Sequence, residues 1–179
     1  MDISILQGEQ IFLRRLTEED ATQEYVNWMN DPEINQYLES KYFTHTVQST
    51  KDFIRSVTND RNFQFGIFDK ETGKHIGNIK VGSINIHDKS ADIGFLIGEK
   101  SYWGRGIATE AIALVTDFAF KTLNLHKVWG GVYAPNIGSI KAFQKNGFVR
   151  EGVRKRQHYF NGEFIDGYLY GKLNDNYKR

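Results

Sequence analysis

The stretch Gly94-Phe-Leu-Ile-Gly-Glu-Lys-Ser-Tyr-Trp-Gly-Arg-Gly-Ile-Ala-Thr-Glu-Ala111 decides the fold. It opens inside Ala91–Ile97, a mostly apolar run that reads as a strand buried on both faces. After a short loop, Gly104 and Gly106 punctuate a turn. Ile107, Ala111, Leu114, Val115 and Phe118 then recur at helical spacing over about residues 107–122. A strand that passes through a glycine turn into a helix presents free backbone N–H groups at the positive end of the helix dipole, and glycine lets a ligand approach that backbone closely. Arg105 adds a positive charge. The local chemistry is that of a phosphate or pyrophosphate binder. No G-x-x-x-x-G-K-[ST] run occurs, which excludes a Walker A loop, and Gly104-Arg-Gly106-Ile-Ala-Thr109 ends in Thr where a dinucleotide fingerprint ends in Gly. On the glycines alone, a loop that merely turns the chain is the competing reading.

Working outward, Gln10–Leu16 alternates as a strand, with Phe12 on the face opposite Leu13. Thr17-Glu-Glu-Asp20 is a capping box heading a helix to about Met29, and Asp31-Pro32 restarts a short helix as N-cap and first position. A further helix is expected from about Thr46–Ser49 to Asn59. Phe63–Phe68 and His75–Ile86 are strands joined by the turn Asp69-Lys-Glu-Thr-Gly73. Val128–Tyr133 is a strand and Asn136–Lys145 a helix ended by Gly147. Phe148–Phe160 and Phe164–Leu173 close the pattern as a hairpin around Asn161-Gly162. The fold class is mixed α/β rather than doubly wound. The first three sheet strands form an antiparallel meander, and strand–helix–strand units imply right-handed crossovers between neighbouring parallel strands.

The 179 residues, 40% apolar and 25% charged with 14% aromatic, suit one domain over 1–179: an N-terminal half at 10–90, a core at 91–147 and a closing hairpin at 148–173. The net charge of +1 gives no electrostatic footprint for nucleic acid or an anionic membrane. With no Cys, disulfides, thiolate metal sites and cysteine nucleophiles are excluded. The five His show no metal-ligand spacing, so no metal is expected. The start lacks a basic, signal-like segment and no apolar stretch reaches membrane-span length, which reads as a cytoplasmic protein, monomer or homodimer.

Two motifs, Trp103-Gly-Arg-Gly106-Ile-Ala108 and Asn136-x-x-Ser139-x-x-x-Phe143-x-x-x-Gly147-Phe148, resemble the pyrophosphate loop and the following helix of the GNAT superfamily of N-acetyltransferases. The string Tyr-Trp-Gly-Arg-Gly-Ile-Ala-Thr-Glu-Ala is similar to the ribosomal-protein N-terminal acetyltransferase branch, where Trp is common in place of the usual Gln or Arg. The resemblance implies acetyl-CoA as cofactor and direct attack of a primary amine on its thioester. It implies that Phe95, Leu96 and Ile97 pair with the pantetheine arm, that Gly104, Arg105, Gly106, Ile107, Ala108 and Thr109 hold the pyrophosphate beside Trp103, and that Asn136, Ser139 and Phe143 complete the cofactor site.

One position departs from the family. Phe143 stands where many relatives have a proton-donating Tyr. Ser139, one turn earlier on the same face, is the candidate acid for the leaving thiolate. The competing reading of Ser139 is a hydroxyl bonded within its own helix. Asp92, His158 and Glu33 are candidate bases, His158 because imidazole titrates near neutrality. Acceptor contacts are expected from residues about 27–43 and 154–168, including Glu33, Tyr37, Arg154 and Tyr159. Arg154, Lys155 and Arg156 read either as a solvated edge or as a phosphate contact, and Glu110 as a residue satisfied by the helix dipole. Three acceptors compete: a nucleotide-linked amino sugar, a protein N-terminus, and a small polyamine-type amine. A non-catalytic acyl-CoA-binding module is the alternative that Phe143 permits.

Overall fold

The computed structural model describes residues 5–57, 59 and 61–177, so the outermost ends of the span 1–179 lie outside the described residues. Eight strands, β1 (Leu6–Gln7), β2 (Ile11–Arg15), β3 (Phe63–Asp69), β4 (His75–Asn85), β5 (Ser90–Ile97), β6 (Lys127–Tyr133), β7 (Val149–Phe160) and β8 (Glu163–Leu173), form one sheet in the order β1-β2-β3-β4-β5-β6-β8-β7. The helices are α1 (Gln23–Asn30), α2 (Pro32–Asn35), α3 (Val47–Val57), α4 (Ile107–Asp117) and α5 (Ile137–Lys145).

Period-two alternation sorts the strands between two layers. Ile11 and Leu13 of β2, Phe65 and Ile67 of β3 and Ile79 and Val81 of β4 turn to the face covered by Ile107, Ala111, Ile112 and Val115 of α4. Each such side chain, fully buried, contributes on the order of 2 kcal/mol. Phe12 turns to the opposite face, as its place beside Leu13 requires. There it stacks on Phe68 at 5.3 Å, and Phe68 on His75 at 4.8 Å, beneath Trp28 of α1.

The N-terminal helices differ in one respect from the expectation. The Thr17–Asp20 box forms, with Thr17 N–H donating to Asp20 at 2.8 Å, but it heads a single 3-10 turn, Glu18–Asp20. Asp20 is also clamped by Arg14 through bonds of 2.8 and 2.6 Å, which pins that turn to β2. The α-helix starts afresh at Gln23, capped by Thr22. Asp31 and Pro32 start α2 as read from the sequence.

The second half contains a correction. β5 and β6 are parallel neighbours joined through α4, as the crossover rule requires. The strand after α5 does not land beside β6. β8 inserts between them, pairing antiparallel with both β6 and β7. The tight Asn161-Gly162 turn, both residues at positive φ, sends β8 straight back along β7, so it takes the open edge of β6 first.

The feature that positions the site is where β5 and β6 part. Only Ser90, Ala91 and Asp92 pair with Lys127, Val128 and Trp129; beyond Asp92 the two strands splay. Among the described residues, no helix is long and apolar enough to cross a membrane.

Candidate active site

The splay leaves polar backbone exposed inside the molecule. Just past β5, Gly98 N–H donates to Ile76 C=O of β4 at 2.9 Å. Because backbone groups alternate sides along a strand, Phe95 and Ile97 point theirs away from β4, into the gap. Ile97 C=O accepts there from Trp103 Nε1–H at 2.9 Å. The gap widens into a cleft of about 630 Å³ lined by the strand, by the turn at 103–109, by α5 and by the α2 segment.

At one end of the cleft lies an anion cradle. Gly104 and Gly106 adopt φ of +76° and +86°, and a side chain on either would point into open space rather than onto protein. Gly106 is the N-cap of α4, and the first bond within the helix runs from Glu110 N–H to Gly106 C=O. The N–H groups of Ile107, Ala108 and Thr109 therefore precede the helical ladder and are left for a ligand. Lys141 and Lys145, one turn apart on α5, also line the cleft, and neither is in an ion pair among the described residues. This donor set fits a pyrophosphate carried on a long flexible arm, the shape of coenzyme A. Arg105 does not line the cleft; its guanidinium lies over the Tyr102 ring at 4.6 Å. Glu110 does more than face the dipole: it accepts from Gln10 N–H at 3.0 Å and Ile11 N–H at 3.4 Å, tying the start of α4 to β2.

Mid-cleft, Asn136 caps α5 by accepting from Ser139 N–H at 3.1 Å. The Ser139 hydroxyl has no hydrogen-bond partner among the described residues and lines the cleft, so the bond within its own helix that would make it structural is not formed. Phe143 is 1% exposed, packed against Phe95, Phe148 and Tyr170 with its ring tip in the space a side chain at Gly130 would need.

The far end is built by the α2 segment and the tips of β6 and β7. Glu33 lines it and is bound by Lys100 at 2.5 Å; the same ammonium bonds Asp31 at 2.8 Å and holds that carboxyl below its usual range. Tyr37 stacks on Phe160 at 5.2 Å and meets Tyr133 edge-on at 5.9 Å. Burial, with Glu39 and Tyr42 nearby, raises the Tyr133 pKa and keeps its hydroxyl protonated.

Besides Arg105, four residues expected at the site lie off the cleft wall. Asp92 faces Lys80 at 2.7 Å. His158 stacks on Tyr133 at 3.9 Å, one layer behind the wall, where burial pushes its pKa down. It reaches across β8 only because Gly167 has no side chain, a Cβ there lying 2.7 Å from His158 Nε2. Arg154 and Tyr159 are exposed. The neighbouring basic residues serve a bulge: between Arg154 and His158 the register shifts, and Asp166 accepts from Lys155 Nζ and from Arg156 N–H, each at 2.9 Å. The residues that the motifs did not flag are Lys141, Lys145, Gln36 and Tyr133. The i, i+4 lysines beside the Asn136 cap were the one available signal.

Comparison with known proteins agrees with this geometry. The acetyltransferase (GNAT) domain matches residues 10–149. The chain is 32% identical over 177 residues to the uncharacterized N-acetyltransferase p20 of Bacillus licheniformis, covering 96% of this chain and 97% of that one. Spermidine N-acetyltransferase from Vibrio cholerae, solved in complex with CoA and spermine, superimposes with a TM-score of 0.84 at 25% identity over 95% of this chain and 99% of that one. RimL, a ribosomal L7/L12 α-N-protein acetyltransferase solved with coenzyme A, gives 0.86 at 18% identity over 96% and 99%, a likeness of fold. Splayed strands, a glycine-started helix and a matched domain spanning both make this chain a member of the GNAT family of acetyl-CoA-dependent N-acetyltransferases.

Proposed function

We propose that the amine acceptor is an amino sugar carrying a phosphate or nucleotide, with a protein N-terminus as the second reading. The observation that carries this is the aromatic wall at the far end of the cleft, where Tyr37 and Tyr133 are lining residues of the kind that pack on the apolar side of a sugar. The carboxylates at that end, Asp31 and Glu33, are already bound by Lys100, which removes much of their attraction for a polycation. Glu33 still lines the cleft, and it is the feature that favours a small polyamine instead.

Acetyl-CoA supplies an acetyl group activated as a thioester. The protein's part is to hold and to manage charge. The N–H groups of residues 107–109, with Lys141 and Lys145, fix the phosphate end. The backbone N–H groups of Phe95 and Ile97 face the gap and can polarise a carbonyl placed there. Ser139 holds a free hydroxyl where a proton is needed by a departing sulfur. An amine attacks only when neutral, so its proton must leave. His158, whose pKa burial pushes down, stacks on the ring of Tyr133, which lines the cleft, and is the nearby group we assign to take up that proton.

Parallel acetylation of nucleotide-linked amino sugars, Ala- and Ser-initiated peptides and spermidine tests the acceptor. Turnover is expected on the sugars. Turnover on peptides or spermidine with none on the sugars would overturn the acceptor and leave the N-acetyltransferase activity standing.

A further inference from the structure

Lys41 is an ammonium caged by rings from three separate parts of the chain. Its Nζ lies 5.2 Å from the ring centre of Tyr42, 5.3 Å from that of Tyr133 and 5.3 Å from that of Phe160, and it donates to Gln36 C=O at 2.9 Å. Such a cage holds a cation by the negative faces of the rings. Gln36 and Tyr133 line the cleft, and Tyr37, which stacks on Phe160, lines it as well. The cage is thus the back of the wall that the acceptor must touch. Among the described residues, Lys41 is in no ion pair with a carboxylate, whereas Lys100 across the same end is bound by two. The acceptor end is therefore divided: acid with a bound lysine on the α2 side, and on the aromatic side a fixed lysine outside any ion pair among the described residues, with the Glu39 carboxylate also near Tyr133.

We propose that Lys41 sets acceptor specificity by charge, favouring an amine that carries an anionic group and disfavouring one that carries a second ammonium. This rests on the acceptor reading above and names the residue that enforces it. A caged ammonium cannot swing away from a like charge as a free surface lysine does, so its repulsion is felt at a distance of several ångströms, where one charge changes binding by roughly tenfold. Tyr42, Tyr133 and Phe160 position the charge.

The test is calorimetry on the CoA-loaded protein with glucosamine 6-phosphate and with spermidine as probes. In wild type the phosphosugar is expected to bind more tightly. Lys41→Met should shift the ratio of the two dissociation constants toward spermidine by about tenfold or more, with CoA affinity unchanged, and Lys41→Arg should keep the wild-type ratio. As a second measurement, raising ionic strength from about 0.05 M to about 0.5 M should narrow the ratio in wild type. It should narrow the ratio less in Lys41→Met, where only the remaining charges of that end are screened. A ratio that does not move in Lys41→Met, or losses shared equally by both probes, would reduce Lys41 to a structural peg and overturn the proposal. The turnover panel fails separately: peptide acetylation would refute the sugar acceptor whatever the binding ratio does.

Discussion

Ser139 is one turn from a phenylalanine that cannot give a proton, and its hydroxyl is unclaimed by the rest of the protein. Ser139→Ala is expected to lower kcat by ~10–10³-fold with little change in acetyl-CoA affinity, because a leaving-group acid acts mainly in the transition state. Steady-state kinetics beside calorimetry checks this, and a wild-type kcat would assign the proton to another donor. At this scale the part of the cleft wall built by Gly104, Gly106, Asn136 and Ser139 was legible, since these residues sit at set spacings within two local segments. The acceptor side was not. Lys41 takes its meaning from Tyr42, Tyr133 and Phe160, two of them about a hundred positions away, and no local pattern records that meeting. Arg154 through Arg156 show the converse: a basic run that invites a phosphate reading is engaged, in part, by Asp166 from the facing strand.

Among the elements, α4 opens at the end of the cleft we assign to the pyrophosphate. Its N-cap Gly106 sits at φ +86°, where a β-branched residue is strained, and the added side chain would enter the open space we assign to phosphate. Gly106→Val should weaken CoA binding by at least about tenfold; unchanged affinity by calorimetry would move the pyrophosphate elsewhere. The helix is also anchored from outside, since Glu110 takes up backbone donors of β2, so the cradle and the first half of the sheet hold one another. The helix starts at Pro32 and Ile107 were readable from Asp31-Pro32 and from the glycine turn. The start of α1 was not, because Thr17 and Thr22 both offer a cap, and the Arg14–Asp20 clamp decides between them. The last turn of the expected long helix widens at Phe118–Thr122 into a π-turn, which apolar spacing alone does not distinguish from α.

Over the whole molecule, stability responds to acid through buried imidazole. His75 lies among Tyr25, Trp28 and Phe68, and burial holds its pKa below the usual histidine range. The unfolded chain takes up a proton near pH ~6.5, and the folded protein only at lower pH. Between those points the unfolded state binds more protons, so stability is full above ~6.5 and falls as pH drops through the folded value. The melting temperature should therefore decline below pH ~6.5, and His75→Gln should flatten that slope even if it lowers the plateau. An identical slope would place the acid sensitivity on other groups, such as His158, whose pKa is lowered in the same direction. The meander and the parallel pair β5–β6 were legible, but β1 was not read and the place of β8 failed, since which of two strands in a hairpin takes the inner place depends on an edge left open far upstream. That inner place has a consequence for the growing polypeptide. A chain emerging from the ribosome has already made the whole acetyl-CoA loop when it reaches Gly147, yet β6 keeps a bare edge until residues 163–173 arrive to fill it. Premature termination at the Asn161-Gly162 tip would leave two strands, β6 and β7, without the partner between them, and quality control would see an exposed sheet edge until β8 is set.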